Sequence, residues 1–260
     1  MGKNGQGGRP QKVFIMNFAE LKEGVLNFLK LHIFNPKWRC NWCGKEIFTQ
    51  EFFCEECLEK LPFIDKAFCS HCGRELKVSA NSCLSCKGIM TSIDMSRSVF
   101  SYKEPISKLI KDLKYFNKRY LVELFGKYLE NAYYKNYINA DYLIYVPMFK
   151  SSQRQRGFNQ SQLLAEELSK RINVPVINPI IKVKSHVRQA KLGRKERLNN
   201  LKGSFKIVDK RVIKDKVILI LDDVITTGAT SQVIGELLKK NGAKTVCLLT
   251  IASVPNKLGY

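Results

Sequence analysis

Hydrophobic positions follow two different periods along the chain, and after residue 91 they predict alternating strands and helices. Short aliphatic or β-branched runs, typical of buried strands, occur in SVFSY, DYLIYVP, VPVINPIIKV, SFKIV, KVILILDD and AKTVCLLTIA. Between them, Ile106, Leu109, Ile110 and Leu113 recur at helical spacing within one long helical region, EPISKLIKDLKYFNKRYLVELFGKYLENAYY. The leucines of NQSQLLAEELSKRI predict a further helix. This alternation predicts an α/β domain with a parallel sheet.

Two polar segments interrupt the pattern. PMFKSSQRQRGFNQ follows the strand at 141–147, and SHVRQAKLGRKERLNNLKG has no apolar period, so both are predicted to be loops. The segment after Thr230 is helical again and is expected to end near Gly242. In parallel α/β sheets ligands bind beyond the carboxyl ends of the strands, where PMFKSSQRQRGFNQ and DDVITTGAT both lie.

Eight of the nine cysteines form four C-x-x-C pairs. They belong to an internal repeat, CNWCGKEIFTQEFFCEEC and CSHCGRELKVSANSCLSC, whose spacing is that of metal ligands rather than of disulfides. Each copy is too small to fold without a metal, so the repeat favours two zinc ribbons. The two ions would be held by Cys40, Cys43, Cys54 and Cys57, and by Cys69, Cys72, Cys83 and Cys86. A cross-braced pairing stays open, because spacing alone does not exclude it.

The remaining thiol and a nearby histidine have simpler interpretations. Cys247 lies alone in an apolar strand and is expected to be a small core residue. His71 lies inside a C-x-x-C pair, where four thiols are already available, and is expected to be a loop residue.

These patterns divide the chain into three parts. Residues 1–36 hold a polar, Gly-rich lead and an apolar segment broken by charged residues, which predicts a short amphipathic helix rather than a signal peptide. Residues 37–90 form the predicted double zinc ribbon, and residues 91–260 form the predicted α/β domain. No apolar run approaches the roughly 18 residues of a membrane-spanning helix. Reduced, metal-binding cysteines predict a cytoplasmic protein.

The formal net charge of +21 is concentrated in the α/β part. Residues 1–100 contain 14 Lys and Arg against 10 Asp and Glu, whereas residues 101–260 contain 30 against 13. Residues 182–202 alone carry eight Lys or Arg and one acidic residue, Glu196. This balance predicts a polyanionic partner for the second domain.

The stretch VILILDDVITTGATS, residues 217–231, combines opposite chemical features. A strand, a tight turn and a helix start would direct backbone N–H groups and a helix dipole at one point, where an anion can bind. Asp222 and Asp223, directly before the turn, would repel that anion unless they contact another part of the same ligand. A sugar with both a phosphate and free hydroxyls satisfies both requirements.

DDVITTGAT resembles the signature of type I phosphoribosyltransferases. VPMFKSSQRQRGFNQSQLLA further resembles the VPVPL…R-G-F-N-Q…LA stretch of the ComF/ComFC competence proteins, with VPMF in place of VPVPL. Their Q-x-x-L-x(4)-R-x-x-N-x(4)-F pattern is matched by Gln189, Leu192, Arg197, Asn200 and Phe205. Members of this family carry cysteine ribbons ahead of a phosphoribosyltransferase-like domain. The resemblance covers roughly residues 37–254.

The resemblance implies a site for phosphoribosyl pyrophosphate. Asp222 and Asp223 would face the ribose hydroxyls and the developing oxocarbenium charge, and Mg²⁺ would bridge ribose and pyrophosphate oxygens. Lys114 matches a family lysine that could reach the same cleft, and Arg154 is a further candidate for pyrophosphate. The implied phosphate and pyrophosphate contacts are Val224, Ile225, Thr226, Thr227, Gly228, Ala229, Thr230, Lys150 and Arg156.

Residues 182–202 match the place where phosphoribosyltransferases have a mobile flap, but they are far more basic than a substrate lid requires. We expect them to contact single-stranded nucleic acid through its backbone. His186 in this segment supports no catalytic role. Tyr115, Phe116 and Tyr120 could stack on bases, although core packing is an alternative. The predicted nucleic-acid contacts are Lys182, Lys184, Arg188, Lys191, Arg194 and Lys195.

The expected fold is therefore a double zinc ribbon followed by a type I phosphoribosyltransferase-like α/β domain, with two structural zinc ions. By resemblance, the expected function is the handling of incoming single-stranded DNA in natural transformation, with phosphoribosyl pyrophosphate as ligand and Mg²⁺ as its cofactor. Other competence proteins, such as a helicase or DNA-processing factors, are implied partners. Two alternatives are an active phosphoribosyltransferase on an unidentified acceptor and a sensor of phosphoribosyl pyrophosphate without turnover.

Overall fold

The computed structural model of the chain describes residues 38–49, 51–84, 86–87, 91–184 and 194–255. The chain forms two compact units, and the boundary between them falls between the two ribbons, since one unit ends at Cys57 and the other begins at Leu58. The domain boundary near residue 90 stays a prediction based on sequence pattern. The predicted N-terminal helix within residues 1–36 lies outside the described residues.

The predicted alternation of strands and helices is present in the described residues after residue 91. The helices are α1 (Glu55–Glu59), α2 (Ile106–Tyr115), α3 (Leu121–Lys135), α4 (Lys150–Arg156), α5 (Gln160–Ile172), α6 (Arg194–Leu201) and α7 (Ala229–Lys240). The strands are β1 (Met95–Ser101), β2 (Tyr142–Tyr145), β3 (Ile180–Lys182), β4 (Phe205–Ile207), β5 (Val217–Ile225) and β6 (Thr245–Ser253). None of the helices in the described ranges is both long and apolar enough to span a membrane.

Four strands form a parallel sheet in the order β1-β6-β5-β2. The central strand β5 is almost continuously apolar because helices cover both faces of such a sheet, and Ile218 through Leu221 are fully buried. Cys247 in β6 is buried, as predicted. The carboxyl end of β5 carries Asp222 and Asp223, so the fold places both carboxylates at the edge where parallel sheets bind ligands. A separate antiparallel pair joins β3 to β4.

The predicted apolar spacing of α2 is confirmed, because Ile106, Leu109, Ile110 and Leu113 are all buried. The long helical region is interrupted, however, between Tyr115 and Leu121. Asn117 adopts a left-handed backbone conformation there, with φ of 53°, which a continuing helix does not allow. The result is two helices, α2 and α3, instead of one.

The segment RGFNQ ends one helix and begins the next. Gly157 closes α4 in a left-handed conformation, and its N–H donates to the Gln153 carbonyl at 2.7 Å. Asn159 then caps α5, because its side chain accepts from the Ser161 N–H at 3.0 Å. Its Nδ2 also donates to the Val146 carbonyl at 3.1 Å, which ties α5 to the end of β2.

Both segments predicted as loops contain helices, and those predictions are wrong over α4 and α6. In α6, Leu198 and Leu201 pack against the buried core of the sheet domain. Two leucines one turn apart give too short an apolar pattern to predict a helix in so basic a segment, and tertiary packing supplies the rest.

Candidate functional site

The loop between β5 and α7 forms a small concave surface. Gly228 precedes α7 with φ of 74°, a left-handed conformation that favours glycine. Among the described residues, none accepts a hydrogen bond from the backbone N–H of Thr226, Thr227 or Gly228. These donors lie beside a concavity of about 30 Å³, whose lining includes Asp222 and every residue from Val224 to Thr230. Free N–H groups at a helix N-terminus are well suited to bind an anion.

The two carboxylates adjoin this loop but have different partners. Asp223 is buried, with 4% of its surface exposed, and forms an ion pair with Lys114 at the end of α2. Asp222 accepts a hydrogen bond from Ser161 Oγ at 2.9 Å. The structure therefore brings Lys114 to the carboxylates, and it adds Ser161, from the first turn of α5, as a contact that the sequence did not predict.

The pKa of the Asp222 carboxyl group is raised to near neutral pH. Burial, and then the neighbouring Asp223 carboxylate, raise its pKa to about 7 from 3.8, although Lys114 and Ser161 act in the opposite direction. A carboxyl group of this pKa changes its charge in the physiological range, and proximity to a second acid at a ligand site is a frequent cause of such shifts.

A larger cavity of about 520 Å³ opens between the end of α2 and α4. Lys114, which pairs with Asp223, is part of its lining, so Lys114 links this cavity to the carboxylate pair. Arg156 also lines it, donates to Gln160 Oε1 at 2.5 Å and lies over the ring of Tyr115 at 5.3 Å. The remaining lining residues are Tyr115, Asn117, Ser152, Gln155 and Phe158.

The other predicted pyrophosphate contacts lie further from this cavity. Lys150 and Arg154 are exposed on α4 and do not line it. Among the aromatic residues considered for base stacking, Tyr115 and Phe116 are largely exposed, and Tyr120 is half-buried. Core packing therefore does not account for Tyr115 or Phe116.

The eight ribbon cysteines form two clusters of four thiols, within each of which the sulfur atoms lie within 4.8 Å of one another. Cys43 and Cys54 sulfurs are 3.7 Å apart, and Cys72 and Cys83 sulfurs 3.9 Å apart. A tetrahedral zinc site with Zn–S bonds of about 2.3 Å separates its sulfurs by about 3.8 Å, whereas a disulfide needs about 2.0 Å. Both clusters therefore fit zinc.

Each cluster draws its thiols from one copy of the repeat, as predicted, and the cross-braced pairing is excluded. Hydrogen bonds from Cys72, Cys83 and Cys86 lower the pKa of the Cys69 thiol, which favours the thiolate that binds a metal. His71 is not part of the cluster, because its Nδ1 lies 2.5 Å from the Asn81 carbonyl oxygen.

Comparison with known proteins agrees with this architecture. The family described as a double zinc ribbon domain matches residues 31–87, and the phosphoribosyl transferase domain family matches residues 159–259. Competence protein F of Haemophilus influenzae is 32% identical over 224 residues, which cover 83% of this chain and 96% of that protein. The chain belongs to the ComF/ComFC family of competence proteins.

Other family relatives are of comparable similarity. Competence protein ComFC of Bacillus subtilis is 29% identical over 82% of this chain and 88% of its own length. DNA utilization protein YhgH of Escherichia coli K12 is 28% identical over 70% of this chain and 82% of its own length. Among solved structures, a purine phosphoribosyltransferase from Pyrococcus horikoshii is 21% identical, with a TM-score of 0.33, over 52% of this chain and 74% of that one.

The fold of this ComF/ComFC family member is thus a parallel-sheet α/β domain of the phosphoribosyltransferase type with a double zinc ribbon before it, as predicted. In the basic segment, Lys182 lies in β3 with its Nζ 5.6 Å from the Phe205 ring centre, and Lys184 approaches Gly203. Arg188 and Lys191 lie outside the described residues. Arg194 and Lys195 belong to α6, but their side chains are not among the described ones.

Sequence reasoning also missed one buried residue at the loop. Arg74, from the second ribbon, is 6% exposed, and its Nη2 donates to the Thr226 carbonyl at 2.6 Å. Arg74 lies in the C-G-x-E part of the repeat, and the first copy has Lys45 at the same position. Because the residue type differs between the two copies, no sequence pattern distinguished Arg74 from an exposed ribbon residue.

Proposed function

We propose that this family member binds phosphoribosyl pyrophosphate together with Mg²⁺ and handles incoming single-stranded DNA in the cytoplasm during natural transformation. The observation that carries the proposal is the juxtaposition of a loop with free N–H groups and a pair of carboxylates at one strand end. The names of its relatives, competence and DNA utilization proteins, support the DNA part.

The loop from Thr226 to Thr230 suits the 5-phosphate of such a ligand. The backbone N–H groups of Thr226, Thr227 and Gly228 have no acceptor among the described residues, and they adjoin the N-terminus of a 12-residue helix. Both features favour a doubly charged phosphate over a neutral group.

The carboxylates suit the ribose. Asp222 lines the same concavity as the phosphate loop, so a sugar joined to the bound phosphate would place its hydroxyls within reach of this acceptor. Asp223 is neutralised by Lys114, which limits the repulsion that two adjacent acids would exert on the ligand's phosphates. Carboxylate oxygens are common ligands of Mg²⁺, and the ion would neutralise charge on the pyrophosphate.

The basic balance of residues 101–260 supports contact with nucleic acid. Lys182 and Lys184 lie at one end of the segment 182–202, close to the β3–β4 pair. Cations of this density bind a phosphate backbone without reading its sequence, as a protein that receives arbitrary incoming strands requires.

A second candidate is an active phosphoribosyltransferase. The 520 Å³ cavity beside the Lys114–Asp223 pair favours it, because a transferase needs room for an acceptor next to the carbon that it attacks. A sensor that binds the ligand without turnover needs no such space.

One experiment separates these functions. Labelled phosphoribosyl pyrophosphate with Mg²⁺ is offered to the zinc-loaded protein, with and without single-stranded DNA, and both retention and pyrophosphate release are measured. Retention without release supports ligand binding linked to DNA handling, whereas release that requires a second substrate supports the transferase. The proposed site would be refuted if wild type did not retain the ligand, or if it retained no more ligand than the Asp222→Asn/Asp223→Asn variant.

A further inference from the structure

The two ribbons are alike in sequence but differ in their surroundings. In the first cluster Cys43 is exposed and Cys54 is half-buried, whereas all four thiols of the second cluster are buried. The second cluster belongs to the compact unit of the sheet, and its thiols share one buried core with Ile93, Ile225 and Val233. Ile225 directly precedes the phosphate loop and Val233 lies in α7, so the second ribbon packs against the elements that carry the candidate site.

Close backbone contacts hold the second ribbon on β1. The Ser96 N–H donates to the Ser70 carbonyl at 2.6 Å, and Ser96 Oγ donates to the His71 carbonyl at 2.8 Å. A Cβ atom at Gly73 would lie 2.6 Å from the backbone nitrogen of Ser98, closer than side chains tolerate. Glycine therefore allows an approach that fixes the ribbon relative to the sheet.

Arg74 extends from this fixed ribbon to the loop. Its backbone carbonyl accepts from the Cys69 N–H at 2.9 Å, which ties it to a metal ligand, and its Nη2 donates to the Thr226 carbonyl at 2.6 Å. Its buried Nε has no hydrogen-bond partner, and within the described ranges no carboxylate forms an ion pair with it. A buried cation without a counter-ion is costly, and an anion at the loop would offset that cost.

The bond to Thr226 also orients the loop. In a trans peptide the carbonyl and the following N–H point in opposite directions, so a Thr226 carbonyl held by Arg74 turns the Thr227 N–H away from Arg74. The nearby positive charge polarises that peptide and makes its N–H a stronger donor. Both effects favour the binding of an anion by the Thr227 amide.

We propose that Arg74 is a positioning residue for phosphate binding, and that the second ribbon holds the loop in its ligand-binding conformation. This inference rests on the proposed function for its ligand, but its structural part does not. Zinc at the second cluster would fix the ribbon from which Arg74 extends.

The test compares Arg74→Met with Lys45→Met. Lys45 occupies the same position in the first copy of the repeat, is largely exposed and lies 3.9 Å from Glu56. Calorimetry with phosphoribosyl pyrophosphate and Mg²⁺ is expected to show about 10- to 100-fold weaker binding for Arg74→Met, because the free energy of one charge-assisted hydrogen bond no longer holds the loop in its ligand-binding conformation. Lys45→Met should bind like wild type, and both variants should retain two zinc ions.

Hydrogen exchange of the free protein tests the structural part without a ligand. Within residues 222–231, the amides at the end of β5 that pair with β6 should exchange at least about tenfold faster in Arg74→Met than in wild type or Lys45→Met, because the strand end and its loop lose their contact with the ribbon. If wild type itself does not bind the ligand, the proposed function fails, and faster exchange still supports the role of Arg74 in holding the loop.

Arg74→Lys provides a variant that keeps the buried charge if Arg74→Met does not fold. It cannot reproduce the planar guanidinium, so intermediate affinity and intermediate exchange are expected. The inference is overturned if the folded Arg74 variants match Lys45→Met and wild type in both affinity and loop exchange while their zinc content is unchanged.

Discussion

Replacing Asp222 with Asn tests whether the charge on this carboxyl group opposes folding. Burial and the adjacent Asp223 raise its pKa to about 7, against 3.8 for the unperturbed group. At pH values between these two pKa values, Asp222 keeps its proton in the folded protein but loses it in the unfolded chain. This group's contribution to stability is therefore fully present below about pH 4 and is lost as the pH rises to 7.

The difference between the two pKa values sets an upper limit of about 4 kcal/mol, at about 1.4 kcal/mol per unit. Asp222 is partly accessible to solvent, so we expect about 1–2 kcal/mol. In the Asn variant nothing titrates at this position, and the amide oxygen can still accept from Ser161. The variant should therefore gain stability relative to wild type as the pH rises from 5 to 8.

Urea unfolding of zinc-loaded protein at pH 5, 6, 7 and 8, without added Mg²⁺, measures this difference. Asp209→Asn is the control, because a hydrogen bond from Arg211 lowers the pKa of Asp209 below its ordinary value and places its titration outside this range. A difference between Asp222→Asn and wild type that is constant across the four pH values would refute the reasoning.

Three further outcomes are expected. Elemental analysis should find two zinc ions per chain. Cys40→Ser should lose one of these ions, and its first ribbon should unfold. A single zinc ion in the wild-type chain would contradict the prediction of two zinc ribbons. Lys114→Met should lower the free energy of unfolding by about 2–4 kcal/mol because Asp223 loses its partner, and adding Asp223→Asn should restore part of it; no recovery would count against the ion pair. Single-stranded DNA binding should weaken with salt at a log–log slope of roughly −2 to −3.5, with little sequence preference. Neutralising four cations should make that slope shallower without changing ligand binding at the loop, and an unchanged slope would place the DNA elsewhere; the substitutions are Lys184→Gln, Lys191→Gln, Arg194→Gln and Lys195→Gln.

The sequence alone determined the features whose physical cause is local. Metal-ligand spacing and an internal repeat predicted two thiol clusters, and both clusters form from the predicted cysteines. The aliphatic run before Asp222 predicted a buried strand of a parallel sheet, because strands covered on both faces must be apolar throughout. The apolar spacing of Ile106 and Leu109 likewise predicted which face of α2 is buried.

Only the tertiary structure decided which distant residues meet. Lys114 and Asp223 are over one hundred residues apart, and Arg74 and Thr226 are 152 apart, so their pairing depends on how ribbon, helices and sheet pack. The same packing made a helix of Arg194–Leu201, where local propensity and pattern were too weak. Periodicity and ligand spacing are properties of neighbouring residues in the chain, whereas a buried cation finds its partner through the contacts of the whole fold.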